Sequence, residues 1–382
     1  MLATRQLSIL KELLALPTAP FAERFVIGAI LRFCGARGLR VRRDSAGNIL
    51  VHYRHGQRRI RRPICLTAHL DHPGFVVERM RDARTVIASW RGGVRPEYFS
   101  GARVRFYDET AARNGEVARR WVRGRIRALH TKLTGGMERV ERVEIEVGTE
   151  LAPGTIGMWD FPDPRVRGAR IFARGCDDVA GAAAILCCLD ELVRQRVRTE
   201  LYVLFTRAEE VGFIGAIAAC RQRTIPDKCL VVSVETSSRL PHARIGAGPI
   251  LRVGDKTTTF TPAATAYVRR VADKLATQDK SFKYQRRLMD GGTCESTAFC
   301  EFGYDATGLC VALGNYHNMN AQCRRLGPEF IDLNDFANLV RWFVELSSAP
   351  EPFDGTNCAL RNTLRKLEAD YAELLARSVI ID

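Results

Sequence analysis

Five stretches of the chain set an acidic or histidine side chain at or just behind an apolar, strand-like run. Residues 64–68 run into His69-Leu70-Asp71. His69 is a metal ligand by type, and Asp71 could take its other ring N–H and fix the tautomer. On its own, His-x-Asp is common by chance. Gly175-Cys176-Asp177-Asp178 stands directly before a helical run and by itself reads as a helix N-cap. Glu209-Glu210 follows the run 201–205, either as a solvated loop or as a general base beside a ligand. Glu235 closes the apolar run 230–234, a costly place for a carboxylate unless it is solvated or paired. His317 follows 309–313.

Taken together these positions say more than any one of them. In an open parallel sheet, ligands bind in the crevice at the carboxyl ends of the strands. Hard and borderline ligands without a thiolate at such ends suit a pair of Zn²⁺-like ions. A bridging carboxylate can hold two such ions about 3.5–4 Å apart, with one spare carboxylate left to take a proton from water.

The elements that must carry these residues alternate. Apolar periodicity predicts helices over 5–15, 20–36, 179–195, 262–279 and 335–347. Strands are expected over 47–53, 63–68, 200–206, 229–234 and 308–313. This is an α/β fold with a mostly parallel sheet flanked by helices. Between about 78 and 165 the rhythm breaks into short strand-like segments at 103–107, 121–129, 140–147 and 155–161, separated by turns such as Gly92-Gly93 and Gly135-Gly136. The expected division is therefore a discontinuous catalytic domain, 1–77 and 166–349, with a β-rich dimerisation or lid domain inserted at 78–165. A helical extension over 350–382 follows. In that tail Leu360, Leu364, Leu367, Tyr371 and Leu374 line one helix face. Docking against its own domain is the expectation, with an oligomer contact as the alternative.

Composition narrows the classes. With 46% hydrophobic and 26% charged residues the chain is ordinary globular material. No apolar run reaches the roughly 20 residues of a membrane span, so no membrane partner is expected. Met1 to Pro20 lacks the pattern of a secretory signal, and the twelve cysteines include no CxxC pair. A cytoplasmic protein with buried free thiols follows. The net charge of +15 invites nucleic acid, but Arg outnumbers Lys fifty to eight, as genome composition alone would produce. The basic residues are dispersed, with local clusters only at Arg58 to Arg62 and Arg119 to Arg127. Nucleic acid is not the expected partner, and an acidic substrate stays open.

The motifs resemble the glutamyl-aminopeptidase or TET-type metallo-aminopeptidases, the M42 family among the di-zinc peptidases. The stretches that carry the resemblance are Ala68-His69-Leu70-Asp71-His72-Pro73-Gly74-Phe75, Asp177-Asp178 with Gly181, and Phe205 to Gly212 with Gly215-Ala216. Gly291-Gly292-Thr293 and Tyr316-His317 complete the set. The resemblance covers about 5–348, and the insert falls between His69 and Asp177 as it does in that family.

What the resemblance implies is specific. Asp177 bridges two metals, most simply Zn²⁺ with Co²⁺ as a compatible alternative. His69 and Glu235 complete one site, and Glu210 and His317 the other. Metal-activated water is the nucleophile, Glu209 its general base, and Asp71 orients His69. A strained cis peptide at Asp177–Asp178 is also implied. The implied activity is release of N-terminal residues from a peptide substrate by a homo-oligomer. An amidohydrolase or deacylase on the same site, and a non-catalytic scaffold that kept the fold, are the alternatives. The chain departs from the family pattern around the metal positions, at His72, Val179, Cys294 and Asn315, and at one of them, where Glu235 replaces the more usual Asp with a longer arm that can still ligate. His72 reads as a residue packed behind the ligands.

Overall fold

The structure, a computed structural model, describes residues 2–56, 62–109, 120–351, 353–354 and 358–377. Arg58 to Arg61 and Arg119, parts of the two basic clusters, lie outside the described residues.

Eight strands form the large sheet. Their order is Arg40–Arg43, Ile49–Arg54, Glu200–Thr206, Ile64–His69, Leu230–Ser238, Asp305–Leu313, Ile250–Asp255 and Gln285–Met289. The four in the centre, from Glu200–Thr206 to Asp305–Leu313, run parallel. Both flanks bring in antiparallel pairs. The sheet is therefore mixed, where the sequence suggested a mostly parallel one. One antiparallel pair is the hairpin closed at Asp44–Gly47, too short for a helical crossover.

The central strands are buried on both faces, which is why 64–68 and 230–234 read as largely apolar runs, broken only by buried Thr67 and Ser233. Against one face pack the helices Thr4–Leu14, Val179–Arg194, Pro262–Gln278 and Leu333–Ser348, with Leu10, Ile185, Leu189, Trp342 and Phe343 in their core. Against the other pack Ile214–Arg221 and Glu295–Glu301, over Leu204, Cys65 and Val231. The helix Val179–Arg194 is apolar all round through Leu189 because that part lies in the core. The described cysteines are free thiols, nearly all buried.

The strands from Gly74–Asp82 to Ile156–Trp159 close into a six-stranded barrel with its own aromatic core of Phe75, Trp90, Phe99 and Trp159. Closure leaves no free sheet edge there. Among the described residues no helix is long and apolar enough to cross a membrane.

One expectation fails. The Cys358–Arg377 helix does not bury its apolar face against its own domain, since Leu364, Leu367, Tyr371 and Leu374 are 56%, 49%, 60% and 64% exposed. Amphipathicity chose the face of this helix but could not say what covers it.

Candidate metal centre

The predicted residues converge at the carboxyl ends of the four parallel strands. His69 is the last residue of Ile64–His69, and Glu235 sits near the end of Leu230–Ser238. After Glu200–Thr206 the chain passes through left-handed Ala208 into one 3₁₀ turn, Glu209–Val211. After Asp305–Leu313 it turns through left-handed Asn315 and His317. Asp177 and Asp178 precede Val179–Arg194, joined by a cis peptide. Asp178 is the N-cap and accepts the Gly181 N–H.

Asp177 lies between two histidines. Its Oδ1 is 3.6 Å from His69 Nε2, and its Oδ2 is 3.7 Å from His317 Nε2. On the first side, His69 Nε2 is 3.8 Å from Glu235 and 3.9 Å from Glu209. On the second, His317 Nε2 is 3.0 Å from Glu210 Oε2. His69, Glu209 and Glu235 form one group with ligand-type atoms mutually within 4.8 Å, and Asp177, Glu210 and His317 form another. All six side chains are buried or nearly so.

The surroundings aim these atoms inward. His69 Nδ1 faces the Asp71 backbone carbonyl at 3.1 Å, and His317 Nδ1 faces the Gly93 carbonyl at 2.8 Å. Each carbonyl fixes the proton on Nδ1 and leaves Nε2 free to ligate. The Asp71 carboxylate stands 3.6 Å from His69 Nδ1, and its oxygens accept the N–H groups of Glu209 and Glu210. Thr236 donates to Asp177 Oδ1. Buried His72 bonds the Asp177 carbonyl through Nδ1 and faces Asn318 through Nε2.

Three buried atoms of the two groups, Glu210 Oε1, Glu235 Oε1 and His317 Nε2, have no hydrogen-bond partner. His317 Nε2 is close to Glu210 but not aligned with it for a hydrogen bond. Native interiors rarely leave such atoms orphaned. Oxygen and imidazole donors converging without thiolate or amine are what a divalent cation of the Zn²⁺ type requires.

Electrostatics agree. Burial alone would lower the histidine pKa values, but the carboxylates outweigh it. His69 is raised well above its ordinary value, chiefly by Glu209, and His317 is pushed up to about 9, chiefly by Glu210. Burial raises Glu209 well above the usual carboxylate range, and Glu235 and Glu210 add to it. Burial also pushes Asp177 upward, but His69 and His317 more than offset that and hold it low.

Four buried residues were missed from sequence. Glu329, fully buried, accepts the N–H groups of Cys176 and Asp177 through Oε2 and is pushed by burial to about 8. Glu23 accepts the Ala208 N–H and pairs with Arg207, bracing the turn that carries Glu209. Asn48 bonds both Arg207 N–H and the Gly215 carbonyl. A Cβ at Gly215 would come within 2.4 Å of the Arg207 carbonyl, so only glycine lets the two segments meet. Arg252, 3% exposed, lines a cavity of about 150 Å³ beside Asp177, Glu209 and Glu235, with Ser237, Thr293 and Tyr316 on its walls. Of these, Arg252 carries the one usable signal, a charge inside a short apolar strand.

The departures sit nearby. Val179 is buried at the start of its helix. Cys294 N–H donates to Asp255, and burial raises its thiol. Asn315 donates to the Pro328 carbonyl, closing the loop that holds His317.

Comparison with known proteins places this geometry. The sequence profile described as M42 glutamyl aminopeptidase matches residues 47–323. A protein of Acetivibrio thermocellus that carries an aminopeptidase name is 23% identical over 261 residues, 65% of this chain and 72% of its own length. The aminopeptidase APDkam598 of Desulfurococcus kamchatkensis superposes with a TM-score of 0.73 at 19% identity, covering 92% of this chain and 98% of that one. The Pyrococcus horikoshii TET1 peptidase, described as a tetrahedron or a large octahedral shell, does so at 0.70 and 19%, covering 90% and 99%.

Proposed function

Since the chain belongs to the M42 glutamyl aminopeptidase family and is a peptide hydrolase, we propose that it removes N-terminal residues from peptides at the double cluster around Asp177. The observation that carries this reading is the Asp177 carboxylate, whose two oxygens face two histidines from opposite sides.

In this reading the Asp177 carboxylate would serve both sides of a pair of divalent ions, Zn²⁺ or Co²⁺, with His69 and Glu235 as the residues that would hold one and Glu210 and His317 the other. Bound there, the ions would polarise the scissile carbonyl and make water a nucleophile near neutral pH. The chain's own residues do the rest. Glu209, held by Asp71 through its N–H, takes the proton of the attacking water and passes it to the leaving amine. Burial raises its pKa above the usual carboxylate range, which makes it a stronger base than an ordinary glutamate. The Asp71 and Gly93 carbonyls keep the histidine tautomers fixed. The cavity lined by Arg252 and Tyr316 opens beside Glu209 and would receive the N-terminal residue.

We assign 1–77 and 166–349 to catalysis, 78–165 to the inserted β-rich domain, and 350–382 to the extension, with the first barrel strand starting a few residues ahead of that boundary, at Gly74. We also infer a homo-oligomer, supported by the assemblies described for Pyrococcus TET1.

The test is metal content by plasma mass spectrometry on wild type and Asp177→Ala, followed by turnover of free-amine and N-acetylated peptides. About two ions per wild-type chain, largely lost in the variant, with turnover of free-amine peptides alone, is the expected result. No metal after add-back, or equal turnover of acetylated peptides, would overturn the reading.

A further inference from the structure

The Cys358–Arg377 helix begins beyond the family match, which ends at 323, and beyond every residue of the metal centre. It still carries a continuous apolar face of Leu360, Leu364, Leu367, Tyr371 and Leu374, all about half exposed or more. Spacings of four and three put these residues at the alternating seam positions of a two-stranded coiled coil.

Charge along the helix is polarised. The first half carries Arg361, Arg365 and Lys366, and the second carries Glu368, Asp370 and Glu373, with Arg377 at its very end. We propose that this helix is an interaction surface for a second copy of the same helix, paired antiparallel. In the register that places Leu364 against Leu367 and Leu360 against Tyr371 of the other copy, four apolar layers close on each other. Arg361 then flanks Glu368 of the other copy, and by symmetry the pair occurs twice. Thr363 flanks Asp370. A parallel pair has no such match, because the residues that flank its seam, Thr363 with Glu368 and Asp370 with Leu375, bring no opposite charges together. Antiparallel pairing also sets opposed helix dipoles side by side.

The helix supplies its own complement, so no other partner chemistry is needed. Two heptads are marginal alone, since isolated helices shorter than about 12–15 residues barely form in water. The pairing therefore adds to subunits already held close, and it tethers them through a segment that has no part in catalysis.

The experiment uses the full chain. Arg361→p-benzoylphenylalanine is made in isotopically light and heavy forms, which are mixed, irradiated and digested. Light–heavy cross-links from position 361 to 366–370 are expected. Absence of light–heavy products, or products joining 361 to 361, would overturn the proposal. In a second arm, amide exchange of 361–374 is followed in wild type, Glu368→Arg, and Arg361→Glu with Glu368→Arg. The single variant should lose protection by about tenfold and the double variant regain it, because two attractive pairs become repulsive and then attractive again. No loss, or no recovery, would count equally against the pairing. Peptide turnover should be unchanged throughout, so a failure of the hydrolase reading would show separately in the wild type.

Discussion

Asp71 and Glu209 meet through the backbone: Asp71 Oδ1 accepts the Glu209 N–H at 3.0 Å, while Oδ2 accepts the Glu210 N–H at 3.1 Å. One carboxylate thus places both the proposed base and a proposed ligand, and its own carbonyl fixes the His69 tautomer.

Asp71→Asn replaces one acceptor oxygen with an amide that faces an N–H donor. Peptide turnover is expected to fall about 10- to 100-fold, with weaker metal retention, as for other residues that orient ligands. Activity and metal content measured on the same preparation check this. Wild-type values for both would remove Asp71 from the positioning role.

Glu209 and Asp177 should separate by phenotype. Glu209→Gln keeps the size of the side chain and removes its basicity, so kcat is expected to fall about 10²–10⁴-fold while bound metal persists. Asp177→Asn should lose metal first and activity as a result. Metal analysis beside steady-state kinetics tells the two apart, and metal loss in Glu209→Gln would make that residue a ligand instead.

Metal-free protein should become less stable as pH rises. A group whose pKa is higher folded than unfolded binds more protons when folded, so its contribution is lost as pH climbs through that window. Glu295, raised from 4.5 to about 7, Glu329, raised from 4.5 to about 8, and His317, raised from 6.5 to about 9, all act in this direction. The Tm of chelator-treated protein is expected to fall between pH 5.5 and pH 9. Zn²⁺ should raise it more at pH 8.5 than at pH 6, because ligation has to displace the proton of His317. Calorimetry across that range checks both, and a rising Tm in the metal-free protein would contradict the assignment.

Gly314→Ala tests the loop that presents His317. A Cβ there would meet the Phe330 ring at 2.1 Å, next to Glu329. Overpacking of this kind costs on the order of 1–3 kcal/mol. Chemical denaturation should register that loss, and activity should fall further than stability alone explains, because His317 and Glu329 move together.

The candidate ligands were legible because their strands are buried on both faces. A histidine or glutamate ending such a run has no ordinary surface role to disguise it. Glu329 was not, since Glu-Phe-Ile-Asp alternates like any half-exposed strand. Its meaning lies in the amides of Cys176 and Asp177, far away in sequence. The antiparallel flanks escaped because Arg40–Arg43, Ile250–Asp255 and Gln285–Met289 are short, carry charged residues and do not stand out as apolar runs. The last helix showed its face clearly and its partner not at all.

The centre draws on the chain from His69 to Glu329, and its last contributions, the His317 loop and the Glu329 brace, come after every strand of the large sheet. A chain folded only as far as Leu313 would therefore hold half a cluster, and in the proposed reading it would not hydrolyse peptides until the segment through Glu329 had joined it.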